Sequence, residues 1–235
     1  MSQTVIDIQN LIFQWPGREG FRLSIPHFQV DRGERVFLQG ASGSGKSTLL
    51  SLLGGVLVPQ QGQLQVLNTD LMTMSSSERD RFRVDHVGLL FQQFNLVPYL
   101  SVRENVILPC RFSQRRRGKA LESANSLEQS ADRLLGQLGL DPTYSQQRVT
   151  SLSVGQQQRV AAARALMGHP ELIIADEPTS SLDADRQSEF LDVLLGRCNE
   201  EGVTLIFVSH DQRLAHHFNR SINLNELCSF NAGSV

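Results

Sequence analysis

GASGSGKSTLL, residues 40–50, opens with nine residues of which six are glycine or serine, follows a lysine with a serine and a threonine, and ends in leucines. An ordinary turn needs one or two glycines. Here Gly40, Gly45, Lys46 and Ser47 fit GxxxxGK[ST] in full. The stretch leaves a short apolar run, ERVFLQG (34–40), that reads as a strand. It enters STLLSLLGGVL (47–57), whose leucines recur at helical spacing. In a strand–loop–helix of this kind, backbone N–H groups converge on phosphate oxygens, and the helix start and the lysine add positive charge. Gly40, Ser42, Gly43, Ser44, Gly45, Lys46, Ser47 and Thr48 are therefore the expected cradle for a nucleoside triphosphate. The Ser47 hydroxyl is the expected Mg²⁺ ligand.

Further strands are expected over 5–13, 63–67 and 86–91. ELIIADEP (171–178) and GVTLIFVSH (202–210) are continuous apolar runs ending in polar residues, the pattern of strands buried on both faces. Strands alternating with helices imply a largely parallel sheet, an α/β fold. Ligands of such sheets lie beyond the carboxyl ends of the strands. Asp176 and Glu177 end one of these runs. An aspartate there can hold Mg²⁺, and the adjacent glutamate can polarise water. Two neighbouring carboxylates repel unless a cation sits with them, which the cradle would supply.

SLSVGQQQRVAAARAL (151–166) offers a second anion site: Ser153 and Gly155 precede a helix expected over 156–166. One chain has little use for two such sites on one nucleotide. A head-to-tail pair of chains does, with ATP held between the cradle of one and the Ser153, Gly155 and Gln156 region of the other.

At 235 residues, 40% hydrophobic and 20% charged, the sequence is globular in composition. Its formal charge of −2 gives no electrostatic case for nucleic acid or an anionic membrane. Cys110, Cys198 and Cys228 form no CxxC pair and read as buried thiols. No signal peptide or membrane-length apolar run is present, so a soluble chain is expected, reaching a membrane only through a partner. Residues 110–144 read as a polar helical insert. Its RRRGK (115–119) reads as a solvated basic turn, with lipid head groups or a partner's acidic loop as the alternative. His216 and His217 read as surface residues.

With GASGSGKST at 40–48, LSVGQ at 152–156 and LIIADEP at 172–178, the chain resembles ATP-binding cassette (ABC) ATPases over essentially its whole length. The resemblance implies a P-loop NTPase fold: a mainly parallel core sheet, an antiparallel β subdomain and a helical subdomain. One domain, 1–235, is expected, with core and β subdomain over 1–91 and 167–235 and the helical subdomain over 92–166. It also implies roles. Gln92 in FQQFNLVP resembles the glutamine that senses Mg²⁺ and the attacking water, with Gln93 the rival. Asp183 in SSLD resembles the aspartate that crosses the dimer interface. His210 in VSHD resembles the histidine that contacts the γ-phosphate. Trp15 is the implied aromatic on adenine, with Phe13 second. The implied cofactors are ATP and Mg²⁺.

FQQFNLVPYLSVRENVILP (91–109) is similar to lipoprotein-releasing, macrolide-export and cell-division cassettes. Those work with permeases by mechanotransmission. The resemblance thus implies an ATPase in a homodimer, bound to integral-membrane permease subunits on the cytoplasmic face of the membrane. A soluble ABC-type ATPase acting on ribosomes or DNA is the alternative, and a module that binds nucleotide without hydrolysis is a third. The chain departs from the usual LSGGQ at Val154, which would be strained if that position required φ > 0.

Overall fold

The computed structural model describes residues 3–16, 22–41 and 43–230, the last two by their backbone alone. Ser42 lies outside the described residues. In chain order the elements are β1 (Thr4–Gln14), β2 (Arg22–Asp31), β3 (Arg35–Gln39), α1 (Lys46–Leu53), β4 (Gln61–Val66), β5 (Thr69–Asp70), α2 (Ser76–His86) and β6 (Val87–Leu90). There follow α3 (Val102–Phe112), α4 (Gln114–Leu121), α5 (Leu127–Gln137), α6 (Val154–Leu166), β7 (Leu172–Asp176), α7 (Ala184–Glu201), β8 (Thr204–Val208), β9 (Arg220–Asn223), α8 (Leu224–Leu227) and β10 (Ser229–Phe230).

The strands form two sheets. One is ordered β6-β7-β8-β3-β9, with every neighbouring pair parallel. The other is ordered β10-β2-β1-β4-β5 and is antiparallel. The parallel sheet is buried on both faces, so its strands carry unbroken apolar runs. Val36, Leu38, Ile174 and Ile206 face one core, shared with α1 and the antiparallel sheet. Phe37, Ala175, Leu205 and Phe207 face the other, shared with α3, α5, α6 and α7. Alanines on α6 permit close approach to β6. A Cβ added at Gly88 would collide with the backbone carbonyl of Ala165.

Several elements depart from the sequence reading. The helix expected over 47–57 stops at Leu53, because Gly54-Gly55 follows and Gly55 turns to φ +66°. The helical segment begins at Val102, ahead of residue 110, and α3 runs through Pro109. Residues 76–85, in no expected element, form α2 together with His86, so the strand expected over 86–91 begins at Val87.

RRRGK is no solvated turn. It lies within α4, and Arg116 is 3% exposed. Its Nε donates to Met167 O at 2.8 Å and an Nη to Ala165 O at 2.6 Å, so it sits on the electronegative C-terminal end of α6. Arg115 and Lys119 both pair with Glu171. His217 is also not a surface residue: its side chain is 16% exposed, with Nδ1 3.5 Å from Asp192. The three cysteines are buried and free, as expected.

Candidate nucleotide site

The parallel sheet places the site. β3 leads into the glycine loop, and β7 and β8, paired Asp176 to Val208, deliver Asp176, Glu177 and His210 to the same edge. The loop turns through Gly43 at φ +79° and Gly45 at φ +84°, a region closed to most side chains. At Gly40 an added Cβ would stand 2.5 Å from the Ser44 hydroxyl. Lys46 Nζ donates to Gly40 O at 2.7 Å and Ala41 O at 3.0 Å, folding its charge over the loop.

These features fit a phosphate chain. The first turn of α1 has neither a capping side chain nor an acidic residue, so its N–H groups have no such partner. The Ser44 hydroxyl is buried without a hydrogen-bond partner among the described residues. A ligand rich in acceptors would satisfy both.

The residues expected to hold Mg²⁺ meet across the loop. Ser47 Oγ donates to Asp176 Oδ2 at 3.4 Å, although they are 129 positions apart. Burial raises the Asp176 pKa above the ordinary carboxylate value, and the neighbouring Glu177 charge raises it further. A cation would relieve both effects. Among the described residues no three His, Cys, Asp or Glu side chains gather into a metal cluster. One carboxylate and one hydroxyl fit Mg²⁺, which keeps water and takes substrate phosphates as its other ligands.

Glu177 has φ +46°, rare for a non-glycine residue. Its N–H donates to Val208 O at 2.9 Å, which ties it to β8. Its Oε2 lies 3.1 Å from Nδ1 of His210.

These groups line one cleft of about 750 Å³. Trp15, Gly40, Gly43, Ser44, Gly45, Lys46, Ser47, Thr48, Gln92, Asp176, Glu177 and His210 all border it. Gln92 lines the cleft, whereas Gln93 is absent from its lining. Trp15 also lines it, while Phe13 is 3% exposed in the core and meets Trp15 edge to face at 5.3 Å. Sequence reasoning missed Ala41, which also lines the cleft and whose methyl side chain carries no chemical signal.

Four expected residues lie outside the cleft. Ser153 caps α6: its Oγ accepts from Gln156 N at 3.3 Å, and Gln156 Oε1 accepts from Ser153 N at 2.9 Å. Gly155 is in the first turn of the same helix. Asp183 caps α7, accepting from Arg186 N at 3.0 Å. Ser153 and Asp183 are exposed. Val154 is the first residue of α6 and is not among the residues of positive φ, so the strain considered for it does not arise.

The sequence model of the ABC transporter family matches residues 23–180, a span that holds the loop, Gln92, Ser153, Asp176 and Glu177. The chain belongs to the ABC transporter family. It is an ABC-type ATPase, the ATP-binding component of a transporter. This ABC ATPase is 38% identical over 197 residues to the lipoprotein-releasing system ATP-binding protein LolD of Porphyromonas gingivalis, covering 84% of this chain and 86% of LolD. It is 36% identical over 228 residues to the macrolide export ATP-binding/permease protein MacB of Pasteurella multocida. That match covers 96% of this chain and 34% of MacB, so the chain spans about a third of that protein. Among solved structures, the cassette MJ0796, dimeric and bound to ADP and Pi after hydrolysis, matches with a TM-score of 0.80 at 32% identity. The match covers 98% of this chain and 96% of that one. Among the described residues of this ABC ATPase, no helix is long and apolar enough to cross a membrane.

Proposed function

We propose that two copies of this ABC ATPase close around two ATP molecules, hydrolyse them, and drive an integral-membrane permease of the lipoprotein-releasing or macrolide-export type. One observation carries the paired arrangement. The cleft holds the cradle, Asp176, Glu177 and His210, while Ser153 and Gly155 stand outside it at the start of α6. Among the described residues, a Cβ added at Gly155 meets no atom within 4 Å. A nucleotide approaching from a second copy would use that space. The dimeric MJ0796 cassette supports the same reading.

In this reading Lys46 and the loop N–H groups hold the β- and γ-phosphates, Trp15 stacks on the adenine, and catalysis is chiefly placement and charge neutralisation. Ser47 and Asp176, with Gln92, would hold Mg²⁺, which neutralises charge on the phosphates when bound. Glu177 orients the attacking water and takes its proton. His210, within hydrogen-bond distance of Glu177, fixes that carboxylate and reaches the γ-phosphate. Ser153 of the second copy closes the site, and Asp183 crosses between the copies. Because each site needs both copies, ATP favours the pair by mass action and hydrolysis releases it.

The permease would dock on an apolar groove of about 290 Å³ that includes Phe91, Leu108, Pro109 and Phe112. Phe112 is 67% exposed there, and Phe91 adjoins Gln92, which joins the groove to the cleft. Docking would hold the protein on the cytoplasmic face of the membrane. LolD and MacB favour this over action on ribosomes or DNA.

Glu177→Gln should retain ATP and trap the pair. Light scattering at saturating Mg-ATP should report a dimer; a monomer would refute the sandwich. Co-purification with a membrane protein tests the permease, and co-sedimentation with ribosomes would overturn it.

A further inference from the structure

We infer that Gln158 is a positioning residue that ties the helix serving one ATP site to the catalytic glutamate of the other, an inference that rests on the paired reading above. Gln158 lies on α6 and is 1% exposed. Its Nε2 donates to Pro178 O at 2.9 Å. Pro178 directly follows Glu177, and a buried carbonyl without a donor is costly. Glu177 keeps its unusual φ of +46° between two fixed points, its own N–H on Val208 O and the Gln158 bond one residue later. Backbone in that region persists only when its surroundings determine it.

Glu177 O accepts from Ser180 N at 3.2 Å, and two further carbonyls of this segment are held from another direction. Gln187 on α7 donates to Thr179 O at 3.1 Å and Leu182 O at 3.2 Å. Gln158 is thus the side chain that links α6 to the segment at Pro178. Ser153, five positions earlier, lies about 7.5 Å away along the same rigid helix. In a pair of chains Ser153 faces the partner's nucleotide, while Glu177 faces its own chain's. A shift of α6 on engaging one nucleotide therefore reaches the glutamate at the other through a single side-chain bond. Arg164, further along α6, donates to Asn95 O at 2.7 Å and to Phe94 O at 2.5 Å, so the same helix also grips the segment after Gln92.

Gln158→Met keeps the volume and removes the donor. It should lower kcat on the order of 10-fold, with ATP affinity unchanged, since a small misplacement of a catalytic group costs rate and not binding. Placed on Glu177→Gln, it should lower the residual rate no further, because both changes act through one carboxylate. A wild-type kcat, or a loss that multiplies with Glu177→Gln, would overturn the inference. Gln158→Glu supplies a second readout. Its carboxylate faces a carbonyl when ionised and donates to it when protonated, so its rate relative to wild type should climb as pH falls; a low ratio independent of pH would count against the bond. The oligomeric state of Glu177→Gln alone decides the sandwich, so failure of either idea is seen separately.

Discussion

Glu177 Oε2 stands 3.1 Å from His210 Nδ1, and the two residues leave the ends of adjacent parallel strands. The sheet register, and not a local motif, sets this distance. Glu177 is backed by the strand to which its N–H is bonded, whereas the His210 side chain is 65% exposed and free to meet a ligand.

Replacing His210 by alanine removes a group that holds the carboxylate and donates toward developing charge. The expected loss in kcat is about 10²-fold, the scale of one preorganised donor. Nucleotide affinity, measured by equilibrium binding, should change little.

Asp176→Asn should act in opposite directions on stability and activity. The Asp176 pKa is raised in the fold, by burial first and by Glu177 second. A carboxylate with a raised folded pKa is destabilising once ionised, and this penalty is complete above the folded pKa and absent below the unfolded one. At neutral pH and without nucleotide the variant should melt a few degrees higher, about 2–4 °C for each kcal/mol relieved. Mg-dependent hydrolysis should be lost. A lower melting temperature would contradict the electrostatic account.

Val154→Gly restores the usual glycine at a position where Val154 is 48% exposed at the first turn of α6. ATPase activity should stay within about twofold of wild type. The melting temperature should fall by a few degrees at most, since glycine costs about 1 kcal/mol in a helix interior and less at its first turn. A tenfold change in kcat would show that the side chain at 154 itself matters.

Glu171 anchors the far end of the sheet. Burial alone would raise its pKa, but hydrogen bonds from His86, Lys119 and Arg115 outweigh that and hold it well below the usual carboxylate range. Its stabilising contribution is therefore complete above the unfolded value of about 4.3 and is lost as pH falls below that toward the folded value. Glu171→Gln should lose about 2 kcal/mol at pH 7, the scale of hydrogen bonds to a charged group. The gap between the two proteins, followed by thermal melting, should narrow below pH 4. A gap that widens on acidification would reverse the sign.

The cradle and the carboxylates were readable because their chemistry demands fixed residue types at fixed spacing. Lys46, Ser47, Asp176, Glu177 and His210 line one cleft. α2 escaped because Phe82 is its only buried residue, so no apolar stripe marks it. Its one sequence signal is the capping box between Ser75 and Glu78. The start of α3 carries the same signal in Ser101 and Glu104, and Pro109 disguised the helix behind it. The role of RRRGK was hidden for a different reason. Its partners are the backbone carbonyls of Ala165, Met167 and His169 and the distant Glu171, and no spacing within the run discloses them.

That arrangement bears on how the protein meets a bilayer. Arg115, Arg116 and Lys119 are engaged within the fold, which leaves Arg117 as the cation of the run with neither an ion pair nor a side-chain hydrogen bond among the described residues. Vesicles rich in acidic headgroups would find little on this helix to grip. Added salt should instead loosen the way the helical layer is pinned to the sheet.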